Sequence, residues 1–464
     1  MDTISDLYET QGAAPKYKAV AAAIRNAVSS GALRPGDKLP PVRDLAWRLG
    51  ITPGTVARAY TLLTESGEAA AAVGRGTFVA TPKPAPATQS PDLRVLPQDT
   101  DTVTLFSARL PDVGQVAMIR KAMGRLGETD PDALLNYPTR ESFEPARRAV
   151  LRWLGDTVLG QVDQADLVLS HGGQSAVSLV MQSVLHGPRP VVMLEELSYP
   201  GFRRAAQLLR ADVVSVAMDA DGLCPESLDR VARETGAQLL CTSAEVHNPT
   251  VVFTPPERRE AIAEIARRRG FHILEDDCYR IGPARAASYR SILPDQGWYV
   301  SSISKSLTPA LRIGFALAPK RHRGVLRRAA EDGFFGLARP LAELTEDLLS
   351  QDETYEMMAA VRAEMNRYIR VAVNILGGYD LVWSEEIPFL WLRLPEGWRA
   401  ASFAQAAEAR GVQIRPAEEF ALRDANAPHA VRIGVNAQVS LSSFEAAIET
   451  LRSLLDNPPE RIAI

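Results

Sequence analysis

Hydrophobic positions recur at helical spacing near the start of the chain. In YKAVAAAIRNAVSSGAL, Val20, Ala23, Ile24, Ala27 and Val28 share one face, and Gly31 ends the pattern. The next stretch, RPGDKLPPVRDLAWRLGITPGTVARAYTLLTESG, predicts a Pro-Gly turn, a short helix from Pro41 to Leu49, a turn at Gly50 and a second helix from Pro53 to Glu65. Helix, short turn, helix is the spacing of a helix-turn-helix. In EAAAAVGRGTFVA two apolar segments flank Gly74-Arg75-Gly76, which predicts a hairpin, or wing, with an arginine at its tip. Residues 81 to 92, TPKPAPATQSPD, have four prolines, no aromatic residue and no apolar period. They predict a semi-rigid linker, up to ~3.1 Å per residue if extended.

From about residue 130 the pattern changes. Helical stretches alternate with the apolar runs DLVLS, PVVMLE, DVVSVAM, AQLLCTS, FHILEDD, GWYVSS and RIGFALA. Strands alternating with helices predict a mostly parallel sheet covered on both faces, with ligands at the carboxyl ends of its strands. The polar clusters fall at those ends. LVLSHGGQS places the amides of Gly172, Gly173 and Gln174 at a helix N-terminus, where a phosphate is favoured. FHILEDDCYR ends with Asp276 and Asp277, and Tyr279 follows three residues after Asp276; consecutive acids there read equally well as exposed charge. EVHNPTVV places Asn248 at another strand end, and EELSYPG puts Tyr199 in a turn. SISKSLTPALRIG sets Lys305 among Ser302, Ser304 and Ser306, with Arg312 seven residues on, although a lysine after serine in a loop is ordinarily solvated surface.

Composition narrows the class. The 464 residues exceed the ~100 to 200 of one ordinary domain, and 46% hydrophobic content suffices for more than one core. Cys224, Cys241 and Cys278 are odd in number and lack C-x-x-C spacing, which argues against a disulfide framework and a zinc site, so no metal is expected. The acidic N-terminus, MDTISDLYET, is unlike a signal peptide, and no apolar run reaches the ~18 residues of a membrane span. These features lead us to expect a soluble cytoplasmic protein. The net charge is -4, yet residues 15 to 80 carry nine basic against four acidic side chains. That excess of five in an acidic protein suggests a nucleic-acid-binding module, the alternative being a solvated face.

The segments GALRPGDKLPPVRDLA and GRGTFV resemble the GntR-type winged helix-turn-helix over about 65 residues. The resemblance implies binding to double-stranded DNA, with Arg43 on the backbone or a base edge, Thr52 and Thr55 at the start of the recognition helix, and Arg75 in the minor groove. Pro53 and Ala57 stand where relatives usually carry arginines, leaving Arg58 one position on. A helix without those guanidiniums has fewer guanine readers. The later motifs, taken in order with a late Arg-Ile-Gly, resemble the fold-type I, class I/II aminotransferases over residues 101 to 464. The fusion of the two resembles the MocR-type regulators. The expected architecture is therefore multi-domain: a winged helix over 1–80, a proline-rich linker over 81–100, and an α/β fold-type I transferase domain over 101–464 with a small C-terminal subdomain from about 341.

The resemblance also implies the cofactor pyridoxal 5'-phosphate and a role for each residue. Lys305 forms the Schiff base. Asp276 pairs with the ring nitrogen; Asp277 is the fallback, because many MocR-type relatives have a shorter Asp-to-Tyr spacing. Tyr279 and Asn248 bond the phenolic oxygen, Tyr199 stacks on the ring, and Ser302 and Arg312 join Gly172, Gly173 and Gln174 at the phosphate. Tyr137, in LLNYPTRES, reaches the phosphate of a partner subunit, which implies a head-to-tail homodimer. Arg432, in AVRIGVN, grips a substrate carboxylate with a planar two-pronged donor. Val251, Leu197 and Arg109 depart from the usual glycine, proline and glycine, and Arg109 is placed to intrude on the substrate pocket. Three readings follow: a regulator that senses an amino acid or amine through an external aldimine at Lys305, a working aminotransferase, and a degenerate sensor without cofactor. The intact Lys305, Asp276, Tyr279 and Arg312 weigh against the last. In the first, effector binding favours closure of the small subdomain.

Overall fold

The computed structural model describes residues 3–9, 15–65, 68–72, 76–80, 102–126, 134–423 and 425–458. Arg75 and the linker 81–100 lie outside them. The chain falls into two compact units, residues 1–96 and 97–464.

In the first unit, helices α1 (Thr3–Glu9), α2 (Lys16–Ser29), α3 (Val42–Arg48) and α4 (Pro53–Glu65) precede an antiparallel pair, β1 (Ala69–Ala72) and β2 (Gly76–Val79). Helix α1 was not anticipated. Its apolar residues Ile4, Leu7 and Tyr8 sit at i, i+3 and i+4 and cover a core of Val20, Ile24, Leu45, Val56, Tyr60 and Leu63. Burying each such aliphatic side chain contributes about 1.5–3 kcal/mol, which is how short helices of this kind are held in place. The Tyr60 hydroxyl donates to Pro40 O at 2.7 Å and so ties α4 to the turn ahead of α3.

In the second unit, β3 (Val103–Thr104) is followed by the strands of the main sheet: β4 (Leu167–Ser170), β5 (Val191–Glu195), β6 (Asp212–Val216), β9 (Leu239–Thr242), β10 (His272–Asp276), β11 (Gly297–Ser302) and β12 (Gly314–Leu317). A short hairpin, β7 (Met218–Asp219) with β8 (Gly222–Leu223), interrupts the order. The strand order is β4-β12-β11-β10-β9-β5-β6. Every neighbouring pair is parallel except the two made by β12, which runs antiparallel to both β11 and β4. Proline opens several covering helices, Pro200–Leu208, Pro225–Thr235 and Pro256–Arg269, where its fixed φ suits the first turn and its missing N–H is not needed.

A smaller sheet, β13 (Leu381–Val382), β14 (Phe389–Arg393), β17 (Ala430–Gly434) and β16 (Arg415–Pro416), lies in that order. It shares a core with the long helix Asp352–Leu376 and the last helix, Leu441–Asp456, through Met365, Ile369, Ile433, Phe444 and Leu451. β15 (Val412–Gln413) pairs in parallel with β3, and Leu105 and Leu110 join that same core. The helix Arg339–Leu349 instead packs with Met118, Ala149 and Phe315 beside the main sheet.

Candidate functional site

The carboxyl ends of β4, β5, β9, β10 and β11 bring the expected residues together. After β4, Gly172 takes φ +80 and leads into the helix Gly173–Val184. A Cβ on Gly172 would lie 2.6 Å from Arg312 Nη2, and one on Gly173 would lie 2.4 Å from Cys278 Sγ and 3.9 Å from Ser302 Oγ. Only glycine leaves room between that helix N-terminus, Ser302 and Arg312. Arg312 itself has φ +52, a left-handed conformation rare for a side-chain-bearing residue, which directs the chain between Lys305 and β12. Gln174 Nε2 donates to Gly201 O at 3.0 Å, and the Tyr199 ring lies against Gly201 beside the Gln174 amide.

Lys305 ends a single 3-10 turn, Ile303–Lys305, that follows β11 directly. It is half-buried, and its Nζ stands 5.0 Å from the centre of the Tyr279 ring. Beside it the buried hydroxyls of Ser304 and Ser306 have no hydrogen-bond partner among the described residues. The two aspartates divide cleanly. Asp277 accepts from Arg280 Nε at 2.7 Å and from the Tyr299 hydroxyl at 2.5 Å, so its carboxylate is committed to a buried structural pair. Asp276, the last residue of β10, accepts from the Cys278 amide at 3.0 Å and from the Cys278 thiol. Burial pushes its pKa up to about 6; the Cys278 hydrogen bonds oppose the rise and the charges of Asp277 and Glu195 add to it.

Arg432 is buried on β17. Its guanidinium donates to Asn248 Oδ1 and, at 2.6 Å, to Phe106 O. The rings of Tyr279, Phe389 and Phe420 surround its Cζ at 5.9, 5.2 and 5.0 Å. Tyr279 is therefore a common neighbour of Lys305 and Arg432, and Asn248 is oriented by the same arginine. Tyr137 is not part of this cluster. It is 82% exposed and packs on Phe335 at 5.9 Å between ring centres. Arg109 is fixed by its backbone, its N–H on Val435 O and its carbonyl accepting from Ala437.

In the first unit, Arg43 is exposed near the start of α3. Thr52 and Thr55 sit at the start of α4 with their hydroxyls 2.9 Å apart. Arg58 is exposed on α4 and stacks on Tyr17 at 4.3 Å, which holds the guanidinium at a fixed place on the helix. Arg25 is paired with Glu68 at 2.6 Å, so it does not add to the free basic charge.

Residues 102–451 match the aminotransferase class I and II family. The chain belongs to that family. Ahead of it, residues 16–79 match the gntR family of bacterial regulatory proteins. The uncharacterized HTH-type transcriptional regulator YdeF of Bacillus subtilis is 27% identical over 96% of this chain and 95% of its own length. The HTH-type transcriptional regulator TauR of Rhodobacter capsulatus is 29% identical over 86% of this chain and 88% of its own. Among solved structures, the α-aminoadipate aminotransferase LysN of Thermus thermophilus, complexed with N-(5'-phosphopyridoxyl)-L-leucine, superposes with a TM-score of 0.66 at 21% identity, covering 77% of this chain and 92% of that one.

The cofactor of the aminotransferase class I and II family is pyridoxal 5'-phosphate, and the cluster fits it. The glycine-only gap bounded by a helix N-terminus, Ser302 and Arg312 suits a dianion, and Asp276 has lone pairs left for a ring N–H. Reading the sequence missed several contributors. Cys278 walls the gap at Gly173, and Arg415, buried at the register position beside Arg432, faces the Phe106 ring at 5.7 Å. His247 Nε2 lies 3.2 Å from the buried carboxylate of Glu195 and its Nδ1 contacts Thr250 at 2.6 Å, which braces the loop that carries Asn248. Alternation in VQIRP would have pointed to Arg415; nothing local marks the other two.

Proposed function

We propose that the protein is a DNA-binding transcriptional regulator whose aminotransferase-like unit holds pyridoxal 5'-phosphate and senses an amino acid. One observation carries the reading. Lys305 Nζ and Arg432 Cζ both approach the Tyr279 ring, at 5.0 and 5.9 Å from its centre. An amino group exchanging at Lys305 would thus carry its carboxylate toward a guanidinium already backed by Asn248 and Phe106 O.

When bound, the cofactor supplies an aldehyde that captures amines and a ring that draws electrons from them. The chain supplies the rest. Asp276 would hold the ring N–H, Asn248 and Tyr279 would orient the phenolic oxygen, and Tyr199 would stack on the ring face. Gly172, Gly173, Gln174, Ser302 and Arg312 would hold the phosphate. The same side chains suit slow transamination, which is compatible with sensing.

In the first unit Arg43, Thr52, Thr55 and Arg58 would face DNA, and the Arg75 tip would complete the surface. With Pro53 and Ala57 on α4, phosphate contacts outweigh base readers, so affinity should fall steeply with salt. The exposed apolar side chains Leu134, Leu135, Tyr137 and Phe335 support a homodimer, and Tyr137 would reach the partner's phosphate in a head-to-tail pair. A ligand acts on DNA binding only through different affinities for two states of the protein, and closure of the small subdomain over Arg432 is such a difference. Deleting residues 1–80 tests the division of labour: DNA binding should vanish while the cofactor absorbance persists. A truncated protein that still shifts its promoter DNA would leave the aminotransferase reading in its place.

A further inference from the structure

A cleft of about 390 Å³ opens beside the cofactor cluster but is lined by none of the residues assigned to the cofactor. Its walls include Arg152 and Trp153 from the helix Glu144–Trp153, Tyr355 and Arg362 from Asp352–Leu376, and Arg280 and Ser306 from the main-sheet loops. Arg280 is saturated, since it bonds Asp277, Asp156, Gly282 O and Thr157. The other two arginines are not. Among the described residues, Arg152 donates only its Nη1, to Ser350 O at a long 3.4 Å. Arg362 uses Nε on Glu386 at 3.1 Å and Nη1 on Ile281 O at 3.3 Å, and its Nη2 has no acceptor among the described residues. Trp153, Tyr355 and Met358 line the same cleft. Ser306 is 5% exposed, and its hydroxyl has no partner among the described residues.

We propose that this cleft is a second small-molecule site, for a carboxylate carried on an aromatic or branched aliphatic body. Its volume lies within the range of small-ligand pockets, which combine apolar walls with a few convergent polar groups. The acids nearby do not oppose an anion. Asp156 and Glu386 are already paired with Arg280 and Arg362, so the unassigned donors of Arg152 and Arg362 are what a ligand meets. A planar two-oxygen acceptor matches guanidinium forks better than a neutral group does. The aromatic and thioether walls favour a carboxylate with a body over a bare inorganic anion. The site would share walls with the cofactor cluster, because Ser306 adjoins Lys305 and Arg280 adjoins Tyr279 in the chain.

The test is calorimetric titration of the full cofactor-loaded chain with benzoate at fixed ionic strength, with benzamide as the neutral control. Saturable benzoate binding is expected, weakened at least tenfold by Arg152→Gln with Arg362→Gln and at least threefold by the exposed Arg152→Gln alone. Trp153→Phe should remove most of the benzoate-dependent change in tryptophan fluorescence. Absence of saturable binding, equal binding of benzamide, or binding that survives both arginine substitutions would overturn the proposal. The last of these outcomes would place the benzoate at Arg432 instead. Circular dichroism of Arg152→Gln separates lost binding from lost folding.

Discussion

At the scale of single residues, Asp276 and Asp277 make opposite predictions although they are neighbours of the same type. The pKa of Asp276 is raised from 3.8 to about 6, so the folded chain holds its proton more tightly than the unfolded chain does. Ionising it therefore costs stability, and without cofactor the protein loses stability as pH rises from about 4 to about 6. Asp276→Asn removes that cost. The cofactor-free variant should be more stable at pH 7 by roughly 1 to 3 kcal/mol, at about 1.4 kcal/mol per pKa unit, yet should bind cofactor more weakly. Asp277→Asn takes away the buried carboxylate of Arg280, leaving it the half-exposed Asp156, and should destabilise the chain by about 3 kcal/mol. Denaturant melts of the two cofactor-free variants check this; a destabilised Asp276→Asn would mean that its carboxylate is a structural partner. Adjacent acids at a strand end look alike in sequence. Only Arg280 and Tyr299, the latter 22 residues away, separate them.

At the scale of elements, the start of the helix Gly173–Val184 is defined by what it excludes. Gly173→Ala puts a methyl group 2.4 Å from the Cys278 sulfur, a distance no stable packing allows, and the displaced side chain narrows the gap toward Ser302. Cofactor affinity should fall at least tenfold with helical content unchanged. Adding Cys278→Ala should restore part of the loss, a coupling that equilibrium dialysis of the two single variants and the double variant would measure. If the double variant is no better than Gly173→Ala alone, the contact with Cys278 is not what limits the site. Most elements were legible because their apolar periods and caps agree with the fold. Helix α1 escaped because seven residues give too short a period, and the antiparallel sense of β12 is set by pairing that no local pattern encodes. Val251 shows the limit differently: a β-branched residue stands at φ +68, where the usual motif has glycine, and burial against Leu197 and Phe389 holds it there.

At the scale of the whole molecule, the order of motifs along the chain disclosed both units, but how the side chains close on one another did not follow from order alone. Arg432 was legible as an arginine in a late strand; that it meets Asn248 and the Tyr279 ring, which Lys305 also approaches, depends on contacts across more than a hundred residues. Tyr137 marks the next level up. Its exposed ring, with Leu135 and Phe335, belongs to a surface suited to a second copy. Leu135→Glu with Phe335→Glu should convert a dimer to a monomer in sedimentation velocity and weaken cofactor binding, whereas an unchanged sedimentation coefficient would remove Tyr137 from the site. The regulator account rests on coupling between the two units, and DNA affinity reports it most directly. Fluorescence anisotropy of promoter DNA with the cofactor-loaded full-length chain should be recorded with and without an amino acid that alters the cofactor absorbance. The account predicts a severalfold change in Kd that disappears in cofactor-free protein; an unaltered Kd while the absorbance responds fully would contradict it.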